Sequence, residues 1–220
     1  MASRHVVFSH GLESSPWGTK ISAMAEVAKS EGWNVDSVDY RGVTDPRDRV
    51  TRLLSFCRDI RGDLVLVGSS LGGYVATSAS ALLHARGLFL MAPAFYLPGT
   101  EELTAKPAPC PKTIVHGWRD EVVPVENSIK FAREHNATLH ILDSDHRLHS
   151  ELSLVNYLFE YFLEDIESGA ARVSVGPARS LSRSLFAHSP PARRICRAGL
   201  SAGVGSRARQ GGPQAPGQEV

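Results

Sequence analysis

The chain has 220 residues, 42% hydrophobic and 21% charged, which is ordinary globular composition and enough length to bury one sizeable core. Its formal net charge is +1, but eight of the 24 basic residues and one of the 23 acids lie in 168–220, which puts +7 on that segment and −6 on the rest. Cys57, Cys110 and Cys196 form no CxxC pair, so neither a disulfide framework nor a zinc site is expected and a reducing compartment fits; with no apolar run near the roughly 18 to 20 residues of a spanning helix, the chain reads as soluble, cytoplasmic and without a membrane partner.

Six short apolar runs, 6–8, 35–38, 64–67, 88–91, 113–115 and 139–142, read as strands. Most are continuous rather than alternating, which marks strands covered on both faces. Ahead of the second run, Ser15-Pro16 predicts a helix start, with Ser15 as N-cap and the proline at the first helical position. Asp45-Pro46 predicts another by the same rule. The helix after Asp45 carries Val50, Leu53, Leu54, Cys57 and Ile60 on one stripe, and a helical run over 71–84 follows the third strand. A last stripe comprises Val155, Leu158, Phe159, Phe162, Leu163 and Ile166. Strands alternating with helices at this spacing call for a parallel sheet with right-handed crossovers and helices on both faces, an α/β sandwich whose site lies after the strands' carboxyl ends.

Composition changes after Glu167. The segment 168–220 has no lysine, almost no acid and no sustained periodicity, so it cannot bury enough apolar surface to offset its ordering entropy. The expected organisation is one domain over 1–167 and an Arg/Ser/Gly/Pro-rich disordered tail over 168–220. The same composition also fits a read-through or frame-shifted extension.

Gly68-Ser69-Ser70-Leu71-Gly72 matches G-x-S-x-G, directly after a strand and directly before a helical run. A sharp strand-to-helix turn would expose Ser70 Oγ at the helix N-terminus, whose free N–H groups favour developing negative charge. Ser69 would point elsewhere. Taken alone the motif is also a common glycine-rich turn, and it matches neither a Walker loop nor G-x-G-x-x-G. A serine needs a base, and the base works best when an acid fixes its tautomer. Asp120 follows the fifth strand and His146 follows the sixth. Of nine histidines, His5, His84, His135 and His140 read as packing or surface residues, His188 is in the tail and His116 ends a strand too early in the order. His149 is the competitor for His146, placed at the apparent start of the last helix. Asp120 outranks Glu121, Asp143 and Asp145, and Asp145 reads as a loop-shaping residue.

HGLESSPWGTK, DYRG, VGSSLGGYVA, HGWRDEVVP and DHRL, over roughly 5–166, resemble the recurrent segments of the α/β-hydrolase superfamily. The first and third are especially similar to small YqiA-like bacterial esterases, which hydrolyse acyl esters and thioesters, while HGWRDEVVPVENS is nearer to generic lipase-like and esterase-like relatives. The resemblance implies a predominantly parallel six-stranded α/β-hydrolase sheet beginning at the superfamily's third strand, without the early antiparallel edge. It also implies a Ser70, Asp120, His146 triad in the superfamily's chain order, with oxyanion donors at the backbone N–H groups of Leu71 and Leu12. Only 92–112 could form a lid, so no cap domain is expected and the pocket should be open, lined by Leu12, Trp17, Phe95, Tyr96 and Trp118, each of which could equally be core. The resulting expectation is a serine esterase or thioesterase acting on a small-molecule substrate, with no cofactor and no metal. The alternative is a non-catalytic ligand-binding protein of the same fold. Nucleic-acid binding by the Arg-rich tail is a third reading, opposed by the acidic body.

Overall fold

The computed structural model describes residues 3–97 and 106–169; the expected disordered tail thus lies outside the described residues from 170 onward. In chain order the elements are β1 (Arg4–Ser9), α1 (Thr19–Ser30), β2 (Asn34–Val38), α2 (Pro46–Cys57), β3 (Asp63–Ser69), α3 (Leu71–Ser80), β4 (Gly87–Met91), β5 (Lys112–Gly117), α4 (Val125–His135), β6 (Thr138–Leu142) and α5 (Leu152–Glu167). The six strands form one sheet in the order β2-β1-β3-β4-β5-β6, and every pairing is parallel. All six apolar runs are strands, and the four central ones are buried along nearly their whole length while β2 and β6 at the edges are not.

Each central strand is apolar on both sides because each side has its own helices. Phe8, Val65, Val67, Phe89 and Met91 pack under α1 and α5, whereas Val7, Leu64, Leu66, Leu88 and Leu90 pack under α2, α3 and α4. The stripe on α5 buries Val155, Phe159, Phe162, Leu163 and Ile166, with Phe159 edge-on to both Phe8 and Phe89. Full burial of such a side chain is worth roughly 1.5–3 kcal/mol, so five of them outweigh any cap.

A side-chain cap fixes where one helix begins. Asp45 caps α2, its side chain accepting from the N–H groups of Arg47 and Asp48, with Pro46 in the first turn. Ser15-Pro16 does not start α1. The Gly18 N–H bonds to Ser15 O to close a turn, Gly18 becomes the N-cap without a side-chain bond, and the helix begins at Thr19. The helical run after Ser70 is also shorter than 71–84, since α3 ends at Ser80.

One contact sets the upper edge of the sheet. The end of β1 lies backbone to backbone against the first turn of α3, and a Cβ at Gly72 would overlap Ser9 O and stand 2.7 Å from His10 O. Only glycine permits that approach, and it brings the loop after β1 beside the residue before α3. Gly72→Ala should therefore destabilise the fold by about 1–3 kcal/mol through overpacking, a fall in Tm of about 2–12 °C for a domain of this size. An unchanged thermal transition would contradict the close approach.

Candidate active site

Ser70 sits between β3 and α3 with φ 54° and ψ −123°, a backbone conformation that a residue with a Cβ adopts only under constraint. The constraint comes from both sides. Its N–H donates to Met91 O at 2.9 Å, and its own carbonyl accepts from Gly73 N–H at 2.9 Å and Ala94 N–H at 3.0 Å. Ser70 is thus the tip of the turn, and the N–H of Leu71, in the first helical turn, has no intrahelical acceptor. Ser69 is still in β3, and by strand alternation its side chain takes the face of Val65 and Val67, under α1 and α5.

The loop after β1 touches this tip. A Cβ at Gly11 would stand 3.3 Å from Ser70 Cβ and 3.5 Å from Ser69 O. His10, fully buried, holds the loop. Its Nε2 accepts the Tyr40 N–H at 2.9 Å, so the proton of the neutral ring is on Nδ1, which donates to Gly11 O at 2.7 Å. Burial lowers the His10 pKa, against the opposing pull of the Gly11 bond, which keeps the ring neutral near pH 7. The DYRG segment thus supplies the anchor that fixes the His10 tautomer.

Asp120 and His146 meet. His146 Nδ1 lies 2.7 Å from Asp120 Oδ2, with the carboxylate fully buried and the imidazole one-fifth exposed. Asp120 Oδ1 accepts from Val122 and Val123 N–H at 2.9 and 2.8 Å. A fourth donor is His116, whose Nε2 is 3.0 Å from Asp120 Oδ2 and 3.0 Å from Val123 O, two acceptors that require the proton on Nε2; its Nδ1 meets Ser128 Oγ at 2.7 Å. Burial pushes the Asp120 carboxyl up, but the bonds from His116, His146, Val123 and Val122 outweigh it and hold the group well below the usual carboxylate range. Asp120 is therefore an ion at neutral pH, and it draws the His146 proton to Nδ1, leaving Nε2 free to accept.

The His146 loop is shaped by its neighbours. Asp145 Oδ1 accepts from Arg147 and Leu148 N–H, closing a tight turn, and Leu148 is fully buried. From α1, the buried Lys20 Nζ donates to Arg147 O at 3.1 Å across 127 residues of sequence. Burial pushes its pKa down to about 8, against the raising influence of Asp145 and Asp120. His149 is exposed in the turn before α5 and stays outside this arrangement. His146 bonds to Asp120; among the described residues no hydrogen bond joins it to Ser70.

Of the expected lining residues, Leu12, Trp17 and Trp118 are half or more exposed. Phe95 is not on an open wall. It is buried in the core, with its ring stacked on Phe131 of α4 at 4.0 Å between centroids. Tyr96 turns towards α4, donating to Glu134 Oε2 at 2.5 Å with Lys130 over its ring. Among the described residues no group of three or more His, Cys, Asp or Glu side chains is placed to hold a metal, and no helix is long and apolar enough to cross a membrane.

His116 is the residue that local sequence reasoning missed. His116→Leu removes one donor from a buried carboxylate, a loss of about 1.5–3 kcal/mol for a bond to a charged group. A carboxyl held low in the fold stabilises above its unfolded pKa of about 3.9 and ceases to do so as pH falls towards the folded value. The deficit of the variant, read by denaturant unfolding, should therefore be full at pH 7 and shrink at pH 3. A deficit of equal size at both would mean simple loss of packing.

Comparison with known proteins agrees with this architecture. The profile of an uncharacterised protein family, UPF0227, matches residues 5–106. No curated protein matches the chain significantly. A protein of Xanthomonas campestris pv. campestris assigned to the alpha/beta hydrolase superfamily is 34% identical, with a TM-score of 0.69 over 74% of this chain and 99% of that one. A lidless alpha/beta serine hydrolase, also of Xanthomonas campestris, shares the fold at 21% identity, with a TM-score of 0.63 over 73% of this chain and 80% of its own. An alpha-beta serine hydrolase homologue of Coxiella burnetii does so at 21% identity and a TM-score of 0.61, over 73% and 85%. With a parallel six-stranded sheet, helices on both faces, a strained serine after β3 and a relative matched over almost its whole length, the chain belongs to the α/β-hydrolase superfamily.

Proposed function

We propose that the protein is a serine hydrolase that cleaves carboxylic esters or thioesters through an acyl-enzyme, with Ser70 as nucleophile, His146 as base and Asp120 as its orienting acid. The observation that carries this reading is the 2.7 Å bond between His146 Nδ1 and a buried, ionised Asp120, on a sheet whose elbow presents Ser70. Ser70 Oγ attacks the acyl carbon and its proton passes to His146 Nε2. The oxyanion is met by the N–H groups of Leu71 and Leu12. Collapse expels the alkoxide or thiolate, which takes the proton from His146, and water then repeats the sequence on acyl-Ser70. Every proton is handled by these side chains, so the mechanism uses no cofactor. The Ser70 to His146 contact closes when substrate enters, as is common for sites that are loose when empty.

The exposed Leu12, Trp17 and Trp118 suit a shallow acyl-binding wall on a small-molecule substrate. Each methylene buried there adds at most about 0.8 kcal/mol, so tolerance across short and medium acyl chains is expected.

Turnover of short p-nitrophenyl esters and acyl thioesters tests the assignment. Ser70→Ala should abolish it with the melting temperature retained, and Ser69→Ala should leave most of it. His146→Ala should lower kcat by several orders of magnitude, the scale seen when triad members are removed. His149→Ala should not. Reversal within either pair would show that the nucleophile or the base is the other residue.

A further inference from the structure

Arg49, on α2, is 1% exposed, yet it meets no carboxylate among the described residues. Its Nε donates to Val43 O at 2.6 Å, its Nη1 donates to His10 O at 3.2 Å and Gly11 O at 3.3 Å, and its guanidinium lies 5.1 Å over the Tyr40 ring. Burying a charge on carbonyls and a ring is a costly way to fill a core, and an apolar side chain of similar volume would often serve stability as well. What a guanidinium adds is direction. Its fork fixes where those carbonyls point.

Direction matters because of what is attached to those carbonyls. Among the described residues no peptide bond is cis, so in each of these peptide units the C=O and N–H point opposite ways. Gly11 O accepts from both Arg49 Nη1 and His10 Nδ1, which turns the N–H of Leu12 away from Arg49. Gly11 itself lies against Ser70, its Cβ position 3.3 Å from Ser70 Cβ. Glycine would otherwise let this peptide flip, presenting a carbonyl where a donor is needed.

Building on the hydrolase reading, we propose that Arg49 is the positioning residue of the oxyanion loop, pinning the Gly11 carbonyl so that the Leu12 N–H faces the developing oxyanion on a substrate at Ser70. It touches no reacting atom. Its effect is on the transition state, where the donor is used, and hardly on ground-state binding.

The test compares wild type, Arg49→Lys, Arg49→Met and, as a control for charge lost from the same helix, Arg47→Met, whose side chain is exposed. For each, kcat and KM for a short p-nitrophenyl ester are measured with the inhibition constant of a trifluoromethyl ketone, which forms an oxyanion-bearing adduct with the serine. Arg49→Met should lower kcat about 10- to 100-fold, short of the roughly 100- to 1000-fold for deleting a donor outright. KM should stay within about threefold while the ketone weakens in step with kcat/KM. Arg49→Lys, which keeps a donor of shorter reach, should recover part of the loss, and it carries the comparison if Arg49→Met does not fold. Arg47→Met should match wild type. A folded Arg49 variant with wild-type kcat, or one whose ketone affinity does not follow kcat/KM, overturns the proposal. Wild type that neither hydrolyses ester nor binds the ketone overturns the hydrolase reading, and this proposal with it.

Discussion

The backbone of Ser70 is the constraint from which the rest of the site follows. A serine at φ 54° and ψ −123° persists only because β4 and the first turn of α3 bind its N–H and carbonyl from both sides. That geometry requires α3 to start abruptly, and the abrupt start is possible only because Gly72 lets the end of β1 lie on the helix backbone. The same approach places Gly11 on Ser70. The proposed nucleophile and the proposed oxyanion loop are therefore two consequences of one packing contact between a strand end and a helix start.

At the other side of the site the organising force is electrostatic. A fully buried carboxylate is tolerable only when its lone pairs are filled, and Asp120 has four donors: two backbone N–H groups from its own turn, His116 from β5 and His146 from the loop after β6. Three of the four belong to the framework and one to His146, the proposed base. The framework thus fixes the carboxylate, and the carboxylate fixes the imidazole. Lys20 and the turn around Asp145 hold the backbone just after His146.

What could be read from the sequence was what is encoded locally. Continuous apolar runs gave the strands, helical spacing gave α2 and α5, Asp45-Pro46 gave one helix start, and G-x-S-x-G after a strand gave the turn at Ser70. Ser15-Pro16 carries the same start signal as Asp45-Pro46, but Gly18 closed a turn on Ser15 first, and tertiary placement of α1 overrode it. The chain order excludes His116 as the base but says nothing of its contact with Asp120, four residues on, which depends on a tight strand-end turn and on Ser128 of α4. Arg49 and Lys20 act across 38 and 127 residues, through carbonyl groups that carry no side-chain signature. Phe95 is open to a pocket or a core reading from the sequence alone, and its stacking on Phe131 puts it in the core.

The proposed chemistry makes Ser70 a nucleophile activated by the imidazole that Asp120 orients. It is tested most directly by treating the full-length protein with a fluorophosphonate, measuring the intact mass and mapping the modified peptide. A single adduct on Ser70 is expected, formed rapidly in wild type, absent in Ser70→Ala and strongly slowed in His146→Ala. A wild-type protein that stays unlabelled, or an adduct on Ser69 or elsewhere in the chain, would contradict it.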